Sequence, residues 1–293
     1  MWSWIQSLFS GKKSLKDLSA WLAVDAKTLG STNTSYRSFG IPKRNGGQRK
    51  ITAPNSELKK IQRLLLKKLF NGLEVHPQAT GFRKQISFVE NARCHQSQKI
   101  VVKIDLVDFF PSINSDRVER FFSKIGWGGK ASKLLTRLTT HDNCLPQGAP
   151  TSPVLSNLVS KRLDSRLSQL AARHQAIYTR YADDITLSFS TSKPENGLNK
   201  FIGSCFKIIR NEGFVPHVGQ KFSVRRNYRR QIVTGLVVNQ GARLPREKRR
   251  WLRSVAHRFE QLKLSALASR PSINQRQFDG WKALLKMIEK RTR

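Results

Sequence analysis

The chain runs to 293 residues and carries 54 Lys and Arg against 19 Asp and Glu, a formal charge of +35. That length supports a large core and more than one subdomain, and so steep a basic excess, recurring from Lys12 to Arg293, points to a polyanionic partner. The cysteines, Cys94, Cys144 and Cys205, are isolated and lack C-x-x-C spacing, which excludes a disulfide-stapled module and a zinc ribbon; no apolar run reaches the length of a membrane span.

The apolar start, Met1 to Phe9, has no basic residue before it and no small-residue cleavage site, so it is not read as a signal peptide, and the cytosol is the expected location. Leu15, Leu18, Leu22 and Val24 predict a helix over 14–29, ended by Gly30. Ile41 to Ile51 reads as a hairpin around Asn45-Gly46, with Lys43, Arg44, Arg49 and Lys50 near its tip. It is either an ordinary exposed hairpin or one that folds over a triphosphate, with Arg49 gripping phosphate through two nitrogens. Leu58, Ile61, Leu65 and Leu69 give an amphipathic helix over 55–72 with lysines and arginines around its remainder. A turn at Gly81-Phe82 and a short helix lead to His95, which as a lone histidine is more often structural than a ligand.

Val101 to Asp105 is strand-like, and Phe109-Phe110-Pro111 breaks it before a helix capped by Asp116. The loop Leu145-Pro-Gln-Gly-Ala-Pro-Thr-Ser-Pro153 then leads into a helix with Ser152 as N-cap, and Gln147-Gly148 is expected to let backbone approach a ligand closely. Next, Ile177 to Phe189 reads as a hairpin with Asp183 and Asp184 at its tip; Ile185, Leu187 and Phe189 alternate with Thr186 and Ser188 as in a half-buried strand. A helix over 198–210, a strand pair over 213–226 carrying Lys221, and a hydrophobic strand over 231–239 follow. From Gly241 the composition turns strongly basic over two helices, whose exposed candidates for RNA contact are Arg249, Arg250 and Arg253.

Asp-Asp in a turn is commonly no more than turn chemistry. Asp105, at the end of a second strand, changes that, because three acids on neighbouring strand ends repel one another unless cations relieve them. Oxygen ligands without a histidine or cysteine cluster favour magnesium, and two such ions about 4 Å apart clamp the attacking and leaving oxygens of a phosphoryl transfer. Adjacent strand residues point to opposite faces, so one of Asp183 and Asp184 is the better ligand.

With Asp105 followed by two aromatics, then the Leu-Pro-Gln-Gly loop running to Ser152-Pro153, then Tyr181-Ala-Asp-Asp184, the chain resembles the reverse transcriptases from about Tyr36 onward. The resemblance implies an α+β right-hand polymerase. An N-terminal helical extension would cover 1–35, fingers and palm with an antiparallel sheet packed on helices 36–240, and a basic helical thumb 241–293. It also implies that Asp105 and Asp183, supported by Asp184, bind two Mg2+ ions. Phe110 would gate against the ribose 2′-hydroxyl, Gln147 lie against the incoming nucleotide and the template, Lys43 and Arg49 reach its phosphates, and Lys221 protonate pyrophosphate. Lys221 is followed by Phe222, where the family more usually has threonine.

Within that family the chain is similar to the bacterial retron enzymes, through Asn91-Ala-Arg-Cys-His95 and Val233-Thr234-Gly235, elements implied to recognise the cognate RNA, and through an end soon after the thumb. The expected function is RNA-directed DNA synthesis that partially copies a structured noncoding RNA, from dNTPs, into covalently attached single-stranded DNA. Antiphage defence with a separate effector protein is implied, with no membrane partner. The alternatives are a free-standing enzyme of group II intron or diversity-generating type, and an RNA-binding relic without activity.

Overall fold

The structure is a computed structural model that describes residues 12–42, 46–192, 197–219, 221–264 and 272–290. Among the described residues the first helices are α1 (Leu15–Leu22) and α2 (Ala26–Ser31), where one was expected. Ala23 turns left-handed at φ 54°, and the Asp25 carboxylate then accepts from the amides of Lys27 and Thr28 to start a second helix, so Gly30 lies inside α2. Leu18, Leu22 and Leu29 are buried in the main core. The strands β1 (Tyr36–Pro42) and β2 (Gln48–Pro54) form the expected hairpin. It leads into α3 (Ser56–Leu65), which Asn55 caps and a π turn over Leu66–Phe70 extends.

A short helix, α4 (Phe88–Arg93), precedes β3 (Ile100–Val107), the middle strand of the main sheet. Three helices follow: α5 (Ser115–Lys124), α6 (Gly129–Thr139) and α7 (Ser152–Val159). The cap of α5 is Asn114, whose side chain accepts from the Arg117 amide at 3.0 Å, and Asp116 sits inside the first turn instead. Thr151 takes the capping position of α7, so Ser152 is the first helical residue. That helix stops at Ser160, and the chain resumes as α8 (Lys161–Arg173).

The hairpin of β4 (Ala176–Tyr181) and β5 (Asp184–Phe189) completes one side of the sheet, with β5 antiparallel to β3. After α9 (Leu198–Asn211), the short strands β6 (Val215–Pro216) and β7 (Ser223–Arg226) pair with β3 and not with each other, which corrects the expected strand pair over 213–226. Lys221 therefore lies in the connection between them. The expected single strand over 231–239 is a tight hairpin of β8 (Ile232–Val233) and β9 (Leu236–Val237), turned by Thr234 and Gly235 at φ 44° and 85°. Left-handed conformations at both central residues are the signature of the turn that matches strand twist.

Period-2 alternation puts Ile100, Val102, Ile104 and Leu106 of β3 in the main core together with Ile185, Leu187 and Phe189 of β5. Helices α5 to α9 close that face with Val118, Phe122, Leu135, Leu155, Leu163, Leu167 and Phe201. The opposite face is covered at one end only. There Val101 packs with Val89, Val233, Leu236 and Leu252 in a second core. The C-terminal helices α10 (Arg246–Leu264) and α11 (Gln275–Glu289) join it, with Trp251 against Trp281 at 5.6 Å and Phe259 stacked on Phe278 at 4.9 Å.

Because of that cover β5 is buried on both faces, which corrects the half-buried expectation. Thr186 and Ser188 are enclosed, and His95 closes over the polar side. Its Nδ1 meets Ser188 Oγ and its Nε2 meets Thr179 Oγ1, each at 2.7 Å. Burial lowers the His95 pKa from 6.5 to about 3, so the ring is neutral in the fold. A folded pKa below the unfolded one means stability that is complete above about pH 6.5 and drains as pH falls toward 3, at roughly 1.4 kcal/mol per unit. In denaturant titrations the parent is expected to lose stability on this slope between pH 6.5 and 4, and His95→Gln to lose visibly less across the same window.

Candidate active site

The acidic end of the sheet is built by register. Asp105 stands directly across from Asp184, and Asp183 lies in the turn between β4 and β5. That turn is held to β3 by a bond from the Leu106 amide to the Asp183 carbonyl at 3.0 Å. Two ammonium groups already answer the acids: Lys221 Nζ is 2.8 Å from Asp105 Oδ2, and Lys103 Nζ is 3.5 Å from Asp184 Oδ1. Burial raises the pKa of Asp183, and the charges of Asp105 and Asp184 add to the shift. The hydrogen bond with Asp105 raises that of Lys221.

Among the described residues, no group of three His, Cys, Asp or Glu side chains forms a ready metal cage. The donor set still fits a hard divalent cation, because it offers carboxylate oxygens alone and its excess negative charge is already drawing in two cations. A cleft of about 440 Å3 opens here, lined by Lys103, Asp105, Asp184, Lys221, Arg225 and Arg230 among others.

Beneath the turn lies a polar network without solvent access. Arg180 and Asp164 are both fully buried. Arg180 Nε donates to Asp164 Oδ1 at 2.7 Å and Nη2 to Oδ2 at 2.6 Å, while the Tyr178 hydroxyl donates to Oδ1 at 2.7 Å. The remaining nitrogen, Nη1, donates to the Ala182 carbonyl at 3.0 Å and to Asn157 Oδ1 at 3.1 Å. Ala182 is left-handed at φ 58°, a conformation costing about 1 kcal/mol or more for a residue with a Cβ, so the guanidinium grips a strained turn. Asn157 also donates to Gly81 O at 2.8 Å, and the Thr80 amide to Arg180 O at 2.8 Å. A Cβ on Gly81 would lie 2.6 Å from the Ala182 nitrogen, so only glycine lets this loop brace the acidic turn. Arg180, Asp164 and Gly81 were missed by sequence reasoning; the available signal was an arginine at a core-facing position of a strand.

On the nucleotide side of the expectations, Phe110 is half-buried. Its ring lies 5.5 Å from the core residue Phe109 and 6.0 Å from Phe82, which is 42% exposed at φ 60°. The Gln147 carbonyl accepts from the Thr52 amide at 2.8 Å, tying its loop to β2 three residues beyond the exposed Arg49. A Cβ on Gly148 would meet Ile51 Cγ2 and Thr52 O at 2.8 Å. Gly148 therefore serves approach to the hairpin strand, a correction to the expected approach to a ligand. Lys43, with Arg44 and Asn45, lies outside the described residues.

The expected RNA contacts divide. Arg249, Arg250 and Arg253 are exposed on α10, and Gly235 is exposed at its turn. Asn91, His95 and Val233 are at most 1% exposed, which takes them out of direct contact with any RNA. Asn91 Oδ1 accepts from Thr80 Oγ1 at 2.7 Å, and Thr80 in turn bonds Arg180 O, so Asn91 and His95 both brace the β4–β5 hairpin from inside. Thr234 Oγ1 donates to Phe88 O at 2.7 Å, locking the β8–β9 turn onto α4.

Comparison with known proteins agrees with this architecture. Residues 41–217 match the family model described as reverse transcriptase (RNA-dependent DNA polymerase). The chain is similar to the Retron Mx162 reverse transcriptase of Myxococcus xanthus, at 39% identity over 257 residues that cover 77% of this chain and 53% of that protein. It is similar also to the Retron Ec86 reverse transcriptase of Escherichia coli, at 34% identity over 251 residues, covering 83% and 77%. Among solved structures, telomerase from Candida albicans in complex with a TWJ fragment of telomeric RNA aligns with TM-score 0.52 at 11% identity, over 79% of this chain and 49% of that one, a likeness of fold. The chain thus spans little more than half the length of the Myxococcus relative.

The buried pair carries a measurable consequence. Asp164→Asn leaves the Arg180 charge sealed and unpaired, at a cost of about 3–5 kcal/mol. Chemical denaturation is expected to show that loss, and the apolar double variant Asp164→Leu with Arg180→Met is expected to recover much of it.

Proposed function

The chain belongs to the reverse transcriptases, within their retron group, and from that premise we propose that it is an RNA-directed DNA polymerase that partially copies a structured noncoding RNA into covalently attached single-stranded DNA. The observation that carries the reading is the convergence of Asp105, Asp183 and Asp184 at one end of the sheet, with the Asp183 pKa raised by burial and by its two neighbours. Its substrates are dNTPs and its macromolecular partners the RNA template and the DNA product. The resemblance to retron enzymes extends the proposal to antiphage defence beside a separate effector protein in the cytosol. Among the described residues no helix is long and apolar enough to cross a membrane.

Asp105, Asp183 and Asp184 would hold two magnesium ions, which when bound supply Lewis-acid activation of the attacking hydroxyl and neutralise phosphate charge. The new bond forms between a ribose or deoxyribose oxygen and the α-phosphorus, and the bond to pyrophosphate breaks. Lys221 carries the proton for the leaving pyrophosphate on Nζ. Its bond to Asp105 favours the protonated form. Phe110, standing between the core ring of Phe109 and the exposed Phe82, fills the space beside the sugar, while Gln147 and Arg49 approach the nucleotide from the hairpin side.

Nucleic acid copurified with the protein tests this directly. After ribonuclease treatment it should retain single-stranded DNA joined to a branched ribonucleotide that a debranching enzyme removes, and Asp183→Asn protein should carry RNA without that DNA. Unbranched DNA with a free primer end would leave a general reverse transcriptase; DNA made by the Asp183→Asn variant would remove the acid assignment. For Phe110→Ala, the ratio of deoxyribonucleotide to ribonucleotide incorporation should fall by about tenfold or more, as expected when a steric clash worth at least ~1.4 kcal/mol is relieved. An unchanged ratio would make Phe110 a packing residue.

A further inference from the structure

Where β7 leaves the sheet the chain reads Arg225-Arg226-Asn227-Tyr228-Arg229-Arg230, and Tyr228 is 75% exposed. The turn is closely pinned. The Asn227 amide donates to Lys99 O at 2.9 Å and the Arg229 amide to Arg226 O at 2.9 Å. Asn239 reaches across with its Nδ2 to both the Asn227 carbonyl, at 2.9 Å, and the Arg229 carbonyl, at 2.8 Å, while its Oδ1 accepts from the Gln231 amide at 2.9 Å. Gln231 Nε2 adds a bond to Arg225 O at 3.0 Å. A surface turn that serves only solubility needs neither this clamp nor an aromatic ring held out into water.

The charges are sorted too. Arg230 pairs with Glu247 at 2.8 Å, and Arg226 turns back to the Ser192 carbonyl at 2.9 Å. Among the described residues, Arg225 and Arg229 have no carboxylate within ion-pair distance. Arg225 and Arg230 line the same cleft as Asp105 and Asp184. By register Arg225 is opposite Val101, four residues along β3 from Asp105, or about 13 Å. The turn therefore presents an exposed ring and two guanidinium groups without a carboxylate partner, Arg225 within the acid cleft and Arg229 next in sequence to Arg230 of its lining, on a chain of formal charge +35.

We infer that this turn docks an unpaired stretch of the RNA template, one base stacked on Tyr228 and the adjoining phosphates held by Arg225 and Arg229. The chemistry follows from the parts: an exposed aromatic offers a π-face to any unstacked base, and arginine forks suit phosphate oxygens. Recognition expected of Val233-Thr234-Gly235 thereby passes to its neighbour. That hairpin is locked inward through Val233 and Thr234, and the turn just before it faces out. The inference rests on the polymerase reading and deepens it, by naming a surface that holds the template beside the acids.

The test uses the whole protein and fluorescent 15-nucleotide probes: one single-stranded RNA, the same strand annealed into an RNA duplex, and single-stranded DNA of the same sequence. Tyr228→Ala should weaken binding of the single-stranded RNA by about tenfold or more, the scale of one lost base–aromatic stack, and Tyr228→Phe should bind like the parent. Arg229→Ala should lower the slope of log affinity against log salt by about 0.7. Parent-like binding by Tyr228→Ala would overturn the inference, as would equal losses on single-stranded and duplex RNA, the mark of a general cationic face. A larger loss on the DNA probe would overturn the assignment to template in favour of product. Extension of an annealed RNA template and DNA primer by the parent judges the polymerase reading separately, since its failure leaves the binding result standing.

Discussion

A guanidinium sealed from water, Arg180, bonded through two nitrogens to the equally sealed Asp164 carboxylate, is the interaction on which the acidic turn depends. Such a pair gains little net stability over an apolar substitute, because desolvating both charges offsets much of their attraction. What it secures is position. With Nε and Nη2 committed to Asp164, Nη1 is aimed at the Ala182 carbonyl, and the left-handed turn that carries Asp183 toward Asp105 cannot relax without costing the buried guanidinium one of its hydrogen bonds. Asn157 and Gly81 extend that control to the loop beside it.

A second brace reaches the same hairpin from its other face. His95, neutral and enclosed, bridges Ser188 and Thr179 on adjacent strands, and Asn91 joins the loop at Thr80. A sheet whose two faces are both enclosed over part of its length leaves one open stretch, at the acidic end. There a compact cluster of carboxylates meets the lysines Lys103 and Lys221 and, further along, Arg225 and Arg230. Negative charge at a point within a positive surround suits a reaction in which a polyanion is bound along a track and cations are required only where phosphoryl transfer takes place.

Short polar motifs divide between these tasks in a way their composition conceals. The element from Asn91 to His95 looks like a polar recognition sequence, yet both named side chains spend their hydrogen bonds inside the protein. Val233-Thr234-Gly235 likewise anchors a two-strand turn to α4. The buried side chains among them act through the shape they impose: Asn91 and His95 on the hairpin that carries Asp183 and Asp184, Val233 on the short hairpin after the basic turn.

Several features were legible in the sequence because they follow from local rules. Alternation in Ile185, Leu187 and Phe189 set the core face of β5, Asn55 and the leucine stripe set α3, and the two strand-like runs ending in acids indicated that Asp105, Asp183 and Asp184 would meet at one end of a sheet. Charge alone indicated a polyanion. Tertiary structure decided what depends on partners distant in sequence. Thr186 and Ser188 read as solvent-facing, yet both are buried, and Ser188 is bonded by His95, about 90 residues earlier. Gly148 read as room for a ligand until β2 fills the space. The strand pair over 213–226 came apart because each segment pairs with β3, a strand more than 100 residues earlier that local pattern does not reveal. For Arg180 the only local sign was its core-facing place in a strand; its role stayed hidden, since burying a cation is unfavourable until a carboxylate from a neighbouring helix meets it, and only the fold brings Asp164 there.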